Sequence, residues 1–156
     1  MKLDAIDTRI LRVLQAQGRI PNNELAAEVG LSPSPCLRRV RLLEERGVIM
    51  GYTAKLDTAQ IGMGFTAYSR VTLTGQDKDQ VDHFISEVKK LKQVVECYIM
   101  AGDCDFLLKV VAPDLLAYRQ FQGGKLSKIR GVQNVKTEIP MEVIKSFGEA
   151  PLAPDI

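Results

Sequence analysis

Four arginines fall within nine residues of one short stretch, Ser32 to Gly47, which reads "SPSPCLRRVRLLEERG". A guanidinium can grip a phosphate oxygen or bond a guanine edge through two parallel N–H groups. At about 100° per residue on a helix, Cys36, Val40 and Leu43 share one stripe, with Leu37 on its flank. Ser34, Arg38, Arg41 and Glu45 gather on the opposite side, with Arg39 and Arg46 at its margin. An isolated run of this kind reads first as a solvated face on a surface helix. Taken singly, each arginine is as readily a partner of Glu44 or Glu45 as of a base. A second stretch, "AGDCD" at Ala101 to Asp105, puts Gly102, Asp103 and Asp105 on a turn. A carboxylate there can meet an ammonium, although an ordinary Gly-Asp hairpin turn has the same composition.

The elements around the arginines decide between these readings. Asp4, with Asp7 three residues on, forms a partial capping box for a first helix running to about Gln17, with Leu3, Ile6, Ile10, Val13 and Leu14 as its apolar stripe. Asn22 is expected to cap a short second helix, "NELAAEVG", with Gly30 as its stop. The turn "GLSPS" then leads into the arginine helix, where Ser34 is the expected cap, Pro35 suits the first turn and Gly47 the end. Two helices joined by so short a turn, the second one basic, form a helix-turn-helix. The alternation in "GVIMGYTAKLD" around Gly51 predicts a strand pair forming a wing. In such a motif the second helix lies in the major groove, so Ser34, Pro35, Arg38, Arg39, Arg41 and Arg46 become the candidate DNA-binding residues, with Arg38 and Arg41 best placed. Arg39 and Arg46 suit phosphate or intramolecular partners better.

Beyond Thr66 the pattern reads strand (66–73), helix (77–91), strand (94–100), tight loop (101–105), strand (106–111), helix (113–129) and strand (132–144). This βαββαβ order predicts a ferredoxin-like sheet. A weak repeat supports it, since "KLKQVVECYI" and "KIRGVQNVKT" each carry the end of a helix into a strand. Val71, Leu73, Val95, Cys97, Ile99, Phe106 and Leu108 form the face expected to receive the helices. The alternate positions, Tyr68, Arg70, Glu96, Tyr98, Met100, Leu107 and Lys109, mix aromatics with charge and suggest a subunit interface. Pro140 fits an edge strand or a bulge. Gly123 and Gly124 fall inside an expected helix, where each costs roughly 1 kcal/mol relative to alanine. The expected division is a winged helix-turn-helix over 1–56, a linker over 57–65, a ferredoxin-like domain over 66–146 and a tail over 147–156.

Composition agrees with this α+β organisation. Residues 1–56 hold nine Lys and Arg against six Asp and Glu, whereas residues 57–156 hold twelve against thirteen, so the basic excess sits in the first third. Three cysteines, Cys36, Cys97 and Cys104, are widely separated and lack the spacing of a zinc site or a disulfide framework. No apolar run approaches the length of a membrane span and the first residues do not resemble a signal peptide, so a cytoplasmic protein is expected. The single histidine, His83, sits in a helix between Asp82 and Phe84, and no nucleophile and base pair stands at any motif.

Taken together, "LDAIDTRIL", "ELAAEVGLSPSPCLRRVRLLEERGVI", "GYTAKLD", "VVECYIMAGDCDFLLKV", "AYRQF" and "GVQNVKT" make the chain similar to the Lrp/AsnC family of transcription regulators over Leu3 to Lys145. "SPSPCLRRV" and "AYRQF" are closer to its leucine-responsive branch. The resemblance implies a sequence-specific regulator of amino-acid metabolism genes that binds double-stranded DNA, has no catalytic activity and carries no cofactor. It also implies dimers that assemble into tetramers or octamers, with a small amino-acid effector held between dimers. Carried over by position, the effector site comprises Met100, Gly102, Asp103, Cys104, Asp105, Thr137, Glu138 and Pro140. Cys104 departs from the family pattern, which commonly has an aromatic there. Two alternatives share the frame: a tetrapyrrole-processing enzyme similar in architecture, and a ligand-binding accessory protein without DNA contact.

Overall fold

The computed structural model describes residues 3–146 and 148–152. The chain forms two compact units, one built from residues 1–55 together with 145–156, the other from 56–144. The backbone therefore passes from one unit to the other twice.

In the first unit, α1 (Ala5–Ala16), α2 (Asn22–Val29) and α3 (Pro33–Glu45) pack around Ile10, Leu25, Val29, Cys36 and Leu43. The expected capping box at α1 is complete: the Asp4 carboxylate accepts from the amides of Ile6 and Asp7, and Asp7 accepts from the Asp4 amide. Gly30 and Gly47 adopt φ of 72° and 70°, and each closes its helix with the paired bonds of a Schellman turn. Both are the stops that the sequence predicts.

Two expected caps differ. Pro21 precedes α2, and Asn22 is its first residue, its amide nitrogen donating to the Pro33 carbonyl at 2.9 Å. Asn22 thus ties the start of α3 to α2 instead of capping its own helix. α3 begins two residues earlier than expected, with Ser32 at the cap position, Pro33 at the first helical position and Ser34 at the second. No side chain caps this end. Pro33 and Pro35 lack N–H groups, which removes two of the donors that a cap would satisfy.

Residues 48–57 form no strand. In place of the expected wing pair stands an irregular segment, in which the Tyr52 hydroxyl donates to Glu44 at 2.9 Å. Two short strands alone are marginal in water, and Met50 stands 97% exposed, burying nothing that would hold a ribbon together. The end of the chain returns to this unit. The Gln15 side-chain amide pairs with both backbone groups of Ala150, donating at 3.2 Å and accepting at 2.7 Å, and Leu152 packs on the helical core.

The second unit is the expected βαββαβ sheet: β1 (Phe65–Leu73), α4 (Lys78–Val88), β2 (Val94–Ile99), β3 (Phe106–Ala112), α5 (Leu115–Gly124), a 3-10 turn (Leu126–Lys128) and β4 (Val132–Glu138). All pairings are antiparallel, in the order β2-β3-β1-β4. Ala67, Val71, Leu73, Phe106, Leu108 and Val110 meet Phe84, Val88, Tyr118 and Phe121 from the helices.

Three expectations change here. Val95 and Ile99 are 50% and 68% exposed and Cys97 is exposed, because β2 is an edge strand with a bulge between Val94 and Glu96. The helix expected over 113–129 breaks at Gly124, so Gly123 and Gly124 end it and are not interior. The strand expected to reach 144 stops at Glu138, since Pro140 has no N–H for a ladder.

Candidate nucleic-acid interface and effector turn

Helix α3 sorts its side chains by face. Cys36, Val40 and Leu43 are buried in the helical core. On the opposite face Ser34, Leu37, Arg38, Arg41, Leu42 and Glu45 line a shallow groove of about 270 Å³. Among the described residues neither Arg38 nor Arg41 has an ion-pair partner. Two guanidiniums therefore stand side by side, one turn apart, with no carboxylate in ion-pair contact among the described residues. Ser34 lies in the first turn, where its N–H is the one donor between two prolines and points out of the helix end.

Arg39 is placed differently. Its Nη1 donates to Asp4 Oδ2 and to Asp7 Oδ1, each at 2.7 Å, which binds α3 to the start of α1. The two carboxylates raise the arginine's proton affinity, while the Asp7 amide first and the Arg39 side chain second hold the Asp4 carboxyl below its ordinary value. Arg39 thus takes the intramolecular partners that the sequence allows for it and fastens two helices. Arg46 is the C-cap of α3, its amide bonded to the Leu42 carbonyl at 3.1 Å. Leu37 and Leu42 flank the arginines on the open groove; a helical wheel places Leu42 only about 40° from Arg38, so that signal was available in the sequence.

The 101–105 turn lies between β2 and β3 at the end of β1. Met100 N–H donates to the Asp105 carbonyl and Asp105 N–H to the Val71 carbonyl, both at 2.9 Å. The Asp105 carboxylate is fully engaged: Oδ2 accepts from the Leu73 amide at 2.7 Å and Oδ1 from the Gln76 side chain at 2.6 Å. Cys104 is buried, whereas Asp103 is exposed beside Gly102, whose φ is 150°. Of the two turn carboxylates, Asp103 is the one open to a ligand. The anchoring role of Asp105 depends on Leu73 and Gln76, and nothing local in the sequence announces it.

The residues nominated on the last strand are not beside this turn within one chain. Register sets Thr137 opposite Ser69 and Glu138 opposite Tyr68, while the turn lies beyond Val71. At about 3.4 Å per residue, Tyr68 and Leu73 are about 17 Å apart along β1. Thr137 and Glu138 also point to opposite faces. The Thr137 hydroxyl bonds the Tyr118 hydroxyl at 2.6 Å, and Tyr118 in turn bonds Ser69 at 2.9 Å. Glu138 lies 3.7 Å from both Arg70 and Lys136 on the helix-free face. Pro140 follows the strand, half-buried.

That helix-free face carries the expected mixture. Lys109 contacts Glu96 at 3.0 Å, and the Tyr98 hydroxyl donates to Glu96 at 2.8 Å. The tyrosine hydrogen bond first, then the ammonium, keeps the Glu96 carboxyl below its ordinary value. Tyr68 stands opposite Lys109 and Tyr98 opposite Leu107, so aromatics and charges alternate across the strands.

Comparison with known proteins gives these two units an identity. Residues 3–50 match a family model described as a winged helix-turn-helix DNA-binding domain, and residues 66–150 match the Lrp/AsnC ligand-binding domain. A leucine-responsive regulatory protein from Klebsiella pneumoniae is 44% identical over 143 residues, covering 92% of this chain and 87% of that protein. Its counterpart from Escherichia coli K12 is 43% identical with the same coverage. Among solved structures, a transcriptional regulator from Neisseria meningitidis in complex with L-Met superposes with a TM-score of 0.93 at 36% identity, covering 97% of this chain and 98% of that one. An AsnC-family transcriptional regulator from Agrobacterium tumefaciens gives 0.89 at 36% identity, with 96% and 97% covered. With both units matched and relatives this similar spanning nearly all of it, the chain belongs to the Lrp/AsnC family, on the side of the leucine-responsive regulators.

Proposed function

We propose that this chain is a sequence-specific DNA-binding transcription regulator of amino-acid metabolism genes whose output is set by a small amino acid. The observation that carries the reading is the pair of guanidiniums, Arg38 and Arg41, on the outward face of α3, neither with an ion-pair partner among the described residues. In a helix-turn-helix this face enters the major groove. Ser34 and the helix start then meet a phosphate, with Pro35 shaping that first turn, and Arg46 reaches the backbone from the other end. Arg39 supports the interface from behind by holding α3 against α1. No catalytic step and no cofactor enter this account, and the protein acts in the cytoplasm, where its DNA is.

The effector reading centres on Asp103, whose exposed carboxylate suits the ammonium of an amino acid, with Gly102 giving room at the backbone and Met100 and Cys104 supplying apolar surface. Asp105 holds the turn in place. Because Thr137, Glu138 and Pro140 lie away from the turn of their own chain, they complete a site only when contributed by another protomer. This is consistent with an effector held between dimers. The relatives named for leucine and the neighbour complexed with L-Met support an apolar amino acid as the first candidates.

The helix-free sheet face, with Tyr68, Tyr98, Leu107 and their charged neighbours, supports sheet-to-sheet dimerisation, followed by assembly into tetramers or octamers. Exposed Met50, Met141 and Ile144 add apolar surface for the same purpose. An effector that prefers one assembly shifts the equilibrium among them and so the spacing of the α3 helices. The test is selection of genomic fragments by the purified protein at physiological salt, with and without free amino acids. Retention of particular upstream regions, altered by one amino acid, is expected; retention of nothing above non-specific background refutes the reading.

A further inference from the structure

A cleft separate from the 101–105 turn opens at the same end of the sheet. It has a volume of about 360 Å³ and is lined by Thr74, Gln80, His83, Arg130 and Gly131. Its walls are fixed by two bonds. The Thr74 amide donates to the Gly131 carbonyl at 2.8 Å, which joins the end of β1 to the entry of β4. The Thr74 hydroxyl donates to Gln80 Oε1 at 3.1 Å, which leaves the Gln80 Nε2 hydrogens as donors. A Cβ at residue 75 would stand 2.9 Å from that nitrogen, so Gly75 gives the amide its place.

The lining has one chemical character. Arg130, His83 and Gln80 all present N–H groups, and no carboxylate lines the cleft. Arg130 is exposed and has no ion-pair partner among the described residues. The acids near His83 on its own helix are Asp79, Asp82 and Glu87; Glu87 is bonded to Lys90 at 2.5 Å and also feels the charge of His83 from outside the cleft lining. A guanidinium, an imidazole and a primary amide that line one cleft, with no carboxylate among its lining residues, match the acceptor oxygens of a small oxyanion.

We propose that this cleft is a second ligand site, taking a small oxyanion, carboxylate or phosphate, on Arg130, His83 and Gln80. The wall it shares with the turn is the 73–76 segment, which Asp105 holds from the other side through Leu73 and Gln76. An anion bound there stiffens the same segment that seats the turn. The site does not depend on the DNA-binding reading.

The chain's single histidine makes the test direct. The His83 ring resonance is followed by NMR in the full-length protein, at fixed pH and ionic strength, during titration with inorganic phosphate and separately with acetate. A saturable shift is expected with at least one anion, with a dissociation constant on the order of millimolar. Saturation by phosphate alone assigns the tetrahedral anion, and saturation by acetate alone assigns the carboxylate. Arg130→Gln, at an exposed position, is expected to abolish saturation while leaving the remaining spectrum unchanged. A linear drift with both anions overturns the site, as does saturation undiminished in Arg130→Gln.

Discussion

The guanidinium of Arg39 on α3 meets the Asp7 carboxylate of α1 at 2.7 Å. With Asp4 at the same distance from the same nitrogen, this contact gives one arginine of the cluster a structural task that its neighbours do not share. Arg39→Ala is therefore expected to lower the stability of the helical unit by about 1 kcal/mol, the range of a partly exposed ion pair. Any loss of DNA affinity should follow that loss of stability. Thermal unfolding measured beside DNA binding checks this: weakened binding with unchanged unfolding would move Arg39 into the interface.

The two carboxylates of the 101–105 turn should separate in the same way. Asp105→Ala leaves the Leu73 amide without its partner and is expected to cost about 1–3 kcal/mol. Asp103→Ala is expected to leave unfolding unchanged and to blunt the amino-acid response without abolishing basal DNA binding. Calorimetric titration with leucine and methionine against each variant reads the difference. An undiminished binding signal in Asp103→Ala would remove that residue from the site.

A buried hydroxyl chain runs from Ser69 through Tyr118 to Thr137, with Ser69 fully buried and Tyr118 1% exposed. Tyr118→Phe keeps the ring packed on Phe65 but strands the Ser69 hydroxyl. A loss of about 1–3 kcal/mol is expected in denaturant unfolding. Replacing Ser69 by Ala in the same chain should recover part of it, and failure to recover any would place the cost in packing.

The pH dependence of stability has two limbs. Asp4 and Glu96 are held below their ordinary values of 3.8 and 4.5, by the Asp7 amide and by the Tyr98 hydroxyl respectively as the largest causes. A lowered folded value means that the folded state binds fewer protons there. The stability they add is thus present above the ordinary values and is lost as pH falls through the lowered ones. At the alkaline end, burial first and the bond to Glu44 second push Tyr52 up to about 12 from 10.0. Its contribution is present below 10.0 and is lost as pH rises towards 12. Melting temperature against pH should fall on both limbs, with the acid limb shallower in Glu96→Gln and the alkaline limb shallower in Tyr52→Phe.

Much of the molecule could be read from local signals. The Asp4 box, the Gly30 and Gly47 stops and the Cys36, Val40, Leu43 stripe depend on neighbours within a turn or two, where sequence spacing is spatial proximity. Other features depend on partners far along the chain. Gln15 and Ala150, 135 residues apart, pair through an amide and a backbone, which leaves no compositional trace. Asp105 looks like any turn aspartate until Leu73 and Gln76 are brought to it. The exposure of Val95 and Ile99 follows from the edge position and bulge of β2, which alternation alone does not reveal. Asn22 does not cap α2 because a good capping residue at a helix start can also donate elsewhere, here to the Pro33 carbonyl.

The central claim, that Arg38 and Arg41 are the DNA contacts of α3, is tested most directly by the salt dependence of DNA affinity. Affinity for a retained upstream fragment should be measured from low to physiological salt for the wild-type protein, Arg38→Ala, Arg41→Ala and the double variant. Each single substitution is predicted to weaken binding and, where its arginine grips a phosphate, to reduce the slope of log affinity against log salt by about 1 per chain, with melting temperature unchanged. Equal affinity and equal slope in the double variant and the wild type would contradict the account.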